Sequence, residues 1–113
     1  MKDRKAWIYS RVKHTGQPCD EAEFQTQLLR DYAAKNGMTV IGLSSDMGDE
    51  PLVNRMGIGC VTEAAEVGKI DVLLVLDMEQ ISDCEDDITE YLQLLEKYGV
   101  QVEVVQDGDD ADA

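Results

Sequence analysis

The sequence has no apolar run that could cross a membrane. Its hydrophobic stretches fall well short of the roughly 20 residues that a transmembrane helix needs. The N-terminal segment Met1 to Lys5 is charged, and the apolar stretch of a secretory signal does not follow it. We therefore expect a cytoplasmic protein with no membrane-bound segment.

Cysteine and histidine are too few for a metal centre or a disulfide framework. The three cysteines stand at positions 19, 60 and 84, and no two of them have the spacing of zinc ligands. His14 is the only histidine, so a serine–histidine pair can be built only around that residue. A glycine-rich phosphate loop is also missing, because Gly57 and Gly59 lack a third glycine and do not follow a strand pattern. We expect reduced thiols and no cofactor.

Basic residues nearly disappear from the second half of the chain. After position 69 the sequence has fourteen acidic residues and a single basic one, Lys97, and the whole chain has a net charge of −14. Affinity for nucleic acid comes largely from lysine and arginine that neutralise phosphates. Direct DNA binding by this chain alone is therefore not expected.

Apolar segments alternate with helical patterns, which is typical of a parallel α/β sheet. Strands are predicted at 6–12, 38–43, 70–76 and 100–104, and helices at about 20–35, 53–67 and 82–98. The predicted fold is a small open parallel sheet of about four strands, in the order 2-1-3-4, with helices on both faces. One domain would span residues 1–106, followed by an acidic, disordered tail at 107–113.

Two of these helices carry more specific predictions. The buried side of the second helix is predicted to consist of the apolar residues Met56, Val61, Ala64 and Val67. The third helix is predicted to begin near Ser82, which would form a capping box with Glu85 three residues later. Residues 44–51 are predicted to form a polar loop.

Five short segments, taken in order, resemble one known family. They are Ile8-Tyr-Ser-Arg-Val12, the stretch from Phe24 to Ala33 with its glutamine Gln25, Arg55-Met-Gly57, Gly68 to Val75, and Ile81-Ser82. Together they are similar to the catalytic domain of the serine site-specific recombinases, the resolvase/invertase family, over roughly residues 6–105. The resemblance implies a resolvase-like fold, and a family chemistry in which a serine attacks a DNA phosphodiester.

The resemblance also implies where the catalytic residues should stand, and most of those positions differ here. Arg11 and Gln25 are retained, whereas the position of the serine nucleophile holds Lys13. The family's aspartate is replaced by Glu79, and two of its arginines are replaced by Gln80 and Asp83. A phosphoryl transition state gathers negative charge, which guanidinium groups stabilise and carboxylates do not. Ser10 is not expected to replace the nucleophile, because strand alternation turns it away from Arg11.

Acidic residues near the predicted strand ends leave a second possibility open. Asp46, Asp77 and Glu79 fall near the carboxyl ends of strands, where open α/β sheets bind ligands. Carboxylates there are candidate ligands for Mg²⁺, although solvated loop acids are the simpler interpretation.

We therefore favour a recombinase-like domain that does not cleave DNA. It would act through protein contacts in mobile-element DNA transactions, with a second copy or a related recombinase as its partner. The alternatives are a divergent active recombinase or nuclease with carboxylate–Mg²⁺ chemistry, and a small-ligand-binding α/β module. In the family, a dimerisation helix and a DNA-binding domain follow the catalytic core.

Overall fold

The computed structural model describes residues 4–12, 18–48 and 55–105, with the backbone alone at 18–22. Along them lie β1 (Arg4–Val12), α1 (Pro18–Lys35), β2 (Met38–Met47), α2 (Met56–Glu66), β3 (Val72–Val75), a short 3₁₀ helix (Met78–Gln80), α3 (Glu85–Lys97) and β4 (Gln101–Val104). The strand pairs are parallel, and the four strands stand in the order β2-β1-β3-β4. The predicted fold class and strand order are confirmed. The predicted tail at 107–113 lies outside the described residues.

Helices cover both faces of the sheet. On one face, Ile8 of β1 packs with Leu29 of α1 in a fully buried cluster. On the other face, Tyr9 packs with Val61 of α2 and Leu95 of α3. Burying one such aliphatic side chain contributes about 1.5–3 kcal/mol. Among the described helices, none is long and apolar enough to span a bilayer.

Strand β2 is longer than the hydrophobic pattern indicates. The prediction ended it at residue 43, but it continues to Met47 because β1 supplies partners up to Val12, which pairs with Met47. The predicted loop at 44–51 was therefore wrong for residues 44–47. Strand β3 is shorter than predicted, and all four of its residues are buried.

The predicted capping box at Ser82 was wrong. Helix α3 begins at Glu85, and its N-cap residue is Cys84. The Ser82 hydroxyl instead accepts a hydrogen bond from the Cys84 amide over 3.0 Å. The serine therefore lies in the connection between the 3₁₀ helix and α3 and is not the residue that caps α3.

The buried side of α2 was predicted only in part. Val61 and Ala64 are buried, but Met56 and Val67 are 84% and 59% exposed. At about 100° per residue, Met56 and Val67 lie roughly 140° and 120° around the helix from Val61. The prediction was wrong for these two residues, because their spacing from Val61 departs from the helical period.

Two glycines of α2 are expected to respond in opposite ways to alanine. A Cβ at Gly57 would lie 2.6 Å from Asp46 Oδ2 and 2.9 Å from the Ser45 carbonyl, whereas at Gly59 it would meet nothing within 4 Å. Gly57→Ala should therefore lower the free energy of unfolding by about 1–3 kcal/mol through overpacking. Gly59→Ala should raise it by about 0.5–1 kcal/mol, because alanine is the better helix former. Urea denaturation measures both, and equal effects of the two variants would contradict the packing at Gly57.

Candidate functional site

The candidate site lies at the carboxyl ends of β1 and β3, where Arg11 meets the segment 79–83. The Arg11 side chain is only 2% exposed, and its Nη2 lies 3.1 Å from the Asp83 carboxylate, which is 54% exposed. The same nitrogen donates to the carbonyl oxygen of Glu79, and the Arg11 backbone amide donates to the side-chain oxygen of Gln80. A buried cation is thus neutralised by a carboxylate of its own chain.

A second buried arginine holds the same segment from α2. Arg55 immediately precedes α2 and is 6% exposed. Its Nη1 donates to the carbonyl oxygens of Gln80 and Ile81. Arg11 and Arg55 therefore bind three successive carbonyls, those of residues 79 to 81. Hydrogen bonds from charged donors are stronger than neutral ones, so these contacts fix the path of the backbone.

Asp46 joins β2, β1 and α2 on the same face of the sheet. Its carboxylate accepts hydrogen bonds from the Tyr9 hydroxyl over 2.8 Å and from the Gly57 and Ile58 amides over 2.9 and 3.1 Å. It thereby satisfies two of the amides that the first turn of a helix leaves without partners. Burial, with the carboxylate beside it, raises the pKa of Tyr9 above its ordinary value. The hydroxyl therefore stays protonated and keeps donating even above the pH at which an ordinary tyrosine ionises.

The structure brings together three of the predicted site positions at Arg11. Gln80 and Asp83 contact it through their side chains, and Glu79 does so through its backbone oxygen while its side chain points to solvent. Gln25, the other retained position, is buried on α1, which packs against the opposite face of the sheet. Lys13 lies outside the described residues.

The three carboxylates considered for Mg²⁺ do not form a metal-binding group. Within residues 4–12, 18–48 and 55–105, no set of three histidine, cysteine, aspartate or glutamate side chains is placed to hold a metal ion. Asp46 is engaged by Tyr9 and the start of α2. Asp77 precedes the 3₁₀ helix, and its Oδ1 is buried without a hydrogen bond from the described part of the chain.

Ser10 lies on the face of the sheet that α1 covers. It is fully buried, and its Oγ makes no hydrogen bond within the described residues. Arg11, the next residue of β1, points to the other face with Tyr9, since side chains alternate along a strand. Ser10 is therefore separated from the buried cations and is shielded from any DNA phosphate.

The sequence analysis did not predict that Tyr9 and Arg55 contribute hydrogen bonds to the site. Arg55 was noticed only as part of the Arg-Met-Gly segment, although it is one of the two arginines at the site. The available signal was that this arginine matches a family position. Its burial depends on where α2 begins, which the helical pattern placed three residues too early.

The buried arginine makes the site suitable for an anion, but the protein itself already supplies one, the carboxylate of Asp83. A buried guanidinium beside the turn before a helix is a setting in which phosphate binds readily. Here the Asp83 carboxylate takes that position on Arg11. Glu85, Asp86 and Asp87 then line the first turn of α3, which complements the helix dipole and repels further negative charge.

Comparison with known protein families identifies the domain. The family model described as "Resolvase, N terminal domain" matches residues 6–113. The chain therefore belongs to the resolvase N-terminal domain family. No curated protein matches the chain.

Solved structures of serine recombinases share this fold. The C-terminal catalytic domain of ISC1926 TnpA, an IS607-like serine recombinase, is 26% identical with a TM-score of 0.82, over 91% of this chain and 70% of that one. The N-terminal catalytic domain of TP901-1 integrase is 25% identical with a TM-score of 0.77, over 90% and 77% of the two chains. A resolvase family site-specific recombinase from Streptococcus pneumoniae is 22% identical with a TM-score of 0.76, over 91% and 72%. Family and fold together indicate a recombination-related function.

Proposed function

We propose that this domain does not cleave DNA and acts through protein contacts in recombination of mobile DNA. The observation that carries the proposal is the ion pair between buried Arg11 and Asp83. A phosphate that approached Arg11 would have to displace a carboxylate that the fold holds in place. It would also meet the acids at the start of α3.

Two residues around Arg11 stand where the resemblance implies arginines, and both support the proposal because each removes a positive charge. Gln80 stands where the resemblance implies an arginine, and its side chain bonds to the backbone of β1 instead of facing solvent as a cation. Asp83 stands where it implies a second arginine and contributes a negative charge. Losing two guanidinium groups removes the electrostatic stabilisation that phosphoryl transfer requires, and one such donor is commonly worth 10²–10³ in rate, about 3–4 kcal/mol.

A surface suited to a protein contact lies between α2 and α3. The groove there has a volume of about 470 Å³, and Ile58, Tyr91 and Leu94 are among the residues that line it. Polar side chains also line it, among them Thr62 and Glu63, and a groove of mixed polar and apolar character is suited to a protein partner. A related recombinase is the partner we propose for it.

Covalent trapping on DNA tests the lack of cleavage. The full chain is incubated with supercoiled plasmid that carries the recombination site of a related recombinase, and the products are separated under denaturing conditions. We expect neither nicked plasmid nor a protein–DNA adduct. An adduct that disappears in the variant Arg11→Ala would overturn the proposal, because it would show that this arginine still serves the chemistry.

A mixing experiment tests the protein contact separately. The chain is added to an active recombinase of the family, and the rate of strand exchange is measured. We expect the rate to change with wild-type chain and to respond less to the variant Leu94→Glu, which places a charge in the groove. An unchanged rate with wild-type chain at a large excess would contradict the partner.

A further inference from the structure

The edge of the sheet formed by β2 exposes an unusual amount of apolar surface. Of the six large hydrophobic side chains that are exposed in the described residues, three lie on β2, Ile41 (41%), Leu43 (44%) and Met47 (62%), and Phe24 (61%) lies on the neighbouring helix α1. Strand β2 pairs with β1 on one side only. Its outer backbone groups are therefore open to pairing with another strand.

The register shows which side chains share a face at this edge. Leu43 pairs with Ile8 and Met47 pairs with Val12, so both point to the side of the sheet that α1 covers. A register shift between Ala6 and Trp7 leaves Ile41 as the extra residue of a bulge. Residues 42–47 beyond the bulge form a regular edge of six residues.

A groove between α1 and β2 joins this strand to Phe24. It has a volume of about 680 Å³ and is lined by Glu23, Phe24, Thr26, Gln27, Arg30, Leu43 and Ser45. Its two charged residues have opposite signs and are seven residues apart, two turns of α1, so they lie toward opposite ends of the groove. Among the described residues, neither Glu23 nor Arg30 forms an ion pair.

We propose that a second copy of this chain occupies the groove, through antiparallel pairing of the two β2 edges. A two-fold axis near Thr26 and Ser44 would join the two sheets and set the two α1 helices side by side in opposite directions. Glu23 of each copy would then face Arg30 of the other, since a two-fold interface places residue i against j and j against i. A buried apolar layer would then form between the helices and the joined sheet, from Leu43, Met47 and Phe24 of both copies.

The charges favour this occupant over an unrelated strand. A charge pattern that is complementary to its own two-fold image selects a second copy, whereas a foreign strand has no reason to match it. The net charge of −14 opposes association at long range. Screening by salt weakens that repulsion, since the Debye length falls from about 30 Å at 0.01 M to about 10 Å at 0.1 M salt. The dimer should therefore strengthen as salt rises through this range.

Sedimentation equilibrium of the full chain tests the proposal, with circular dichroism to confirm folding of each variant. Wild type should show a monomer–dimer equilibrium. Leu43→Glu should weaken it at least ten-fold, because it buries charge at the centre of the interface. Met56→Glu is the matched control, since it places the same charge on an exposed hydrophobic residue of α2 and should leave the dissociation constant unchanged.

Charge exchange tests the geometry independently. Glu23→Arg and Arg30→Glu should each weaken the dimer about three- to ten-fold, and the double variant should restore it. The proposal would be overturned if the wild-type chain remained monomeric at concentrations up to about 1 mM, which is the weak end of specific association. It would also be overturned by a dimer that Met56→Glu disrupts and Leu43→Glu does not. These outcomes are independent of DNA cleavage and so do not depend on the proposed function.

Discussion

Replacing Asp46 with alanine should lower the free energy of unfolding by about 3 kcal/mol. The carboxylate accepts three hydrogen bonds, one from the hydroxyl of the buried Tyr9 and two from amides in the first turn of α2. Removing a helix cap typically costs about 0.5–2 kcal/mol, and leaving a buried hydroxyl without its partner adds about 1–3 kcal/mol. Denaturation in urea measures the loss, and the midpoint should fall with the slope unchanged.

Two controls distinguish a structural role of Asp46 from a metal-binding role. Asp31→Ala removes an exposed carboxylate whose one hydrogen bond among the described residues comes from Gln27 of the same helix, so it should change stability by less than about 0.5 kcal/mol. Millimolar Mg²⁺ should stabilise wild type and Asp46→Ala equally. Selective stabilisation of wild type would show that Asp46 binds the ion, and would revive the carboxylate–Mg²⁺ alternative.

The strands and helices could be predicted because the hydrophobic periods are strong. The buried run of β3 and the alternation of β4 define strands directly, and helices between parallel strands leave few topologies. Element ends were less predictable. The end of β2 depends on how far β1 extends beside it, which is set by tertiary pairing and not by the local sequence.

The site was predictable as a set of positions but not as a set of contacts. The family resemblance assigned Arg11, Gln80 and Asp83 to one site. It could not indicate that Glu79 contributes its carbonyl, because every residue has one. Close contacts were equally hidden: a Cβ at Gly42 would lie 2.3 Å from the ring of Trp7, which no local pattern reveals.

Replacing Asp83 with alanine should lower the free energy of unfolding by about 2 kcal/mol. The change leaves the Arg11 guanidinium, 2% exposed, without its carboxylate partner. Breaking a fully buried pair in this way costs about 3–5 kcal/mol, and the value here should be lower because Asp83 is half exposed and water can take its place. Asp86→Ala is the matched control, since it removes one charge from the first turn of α3 and should cost less than about 1 kcal/mol.

The double variant Arg11→Met/Asp83→Ala should be more stable than Asp83→Ala alone. With the cation gone, no uncompensated charge remains, and a side chain of similar length fills the space. Inorganic phosphate should raise the melting temperature of Asp83→Ala more than that of wild type, because the vacated position beside Arg11 attracts an anion. If phosphate affects the two proteins equally, or if the double variant is no more stable than the single one, then Asp83 is not the group that satisfies Arg11. The inference that a carboxylate replaces the phosphate in this fold would then fail.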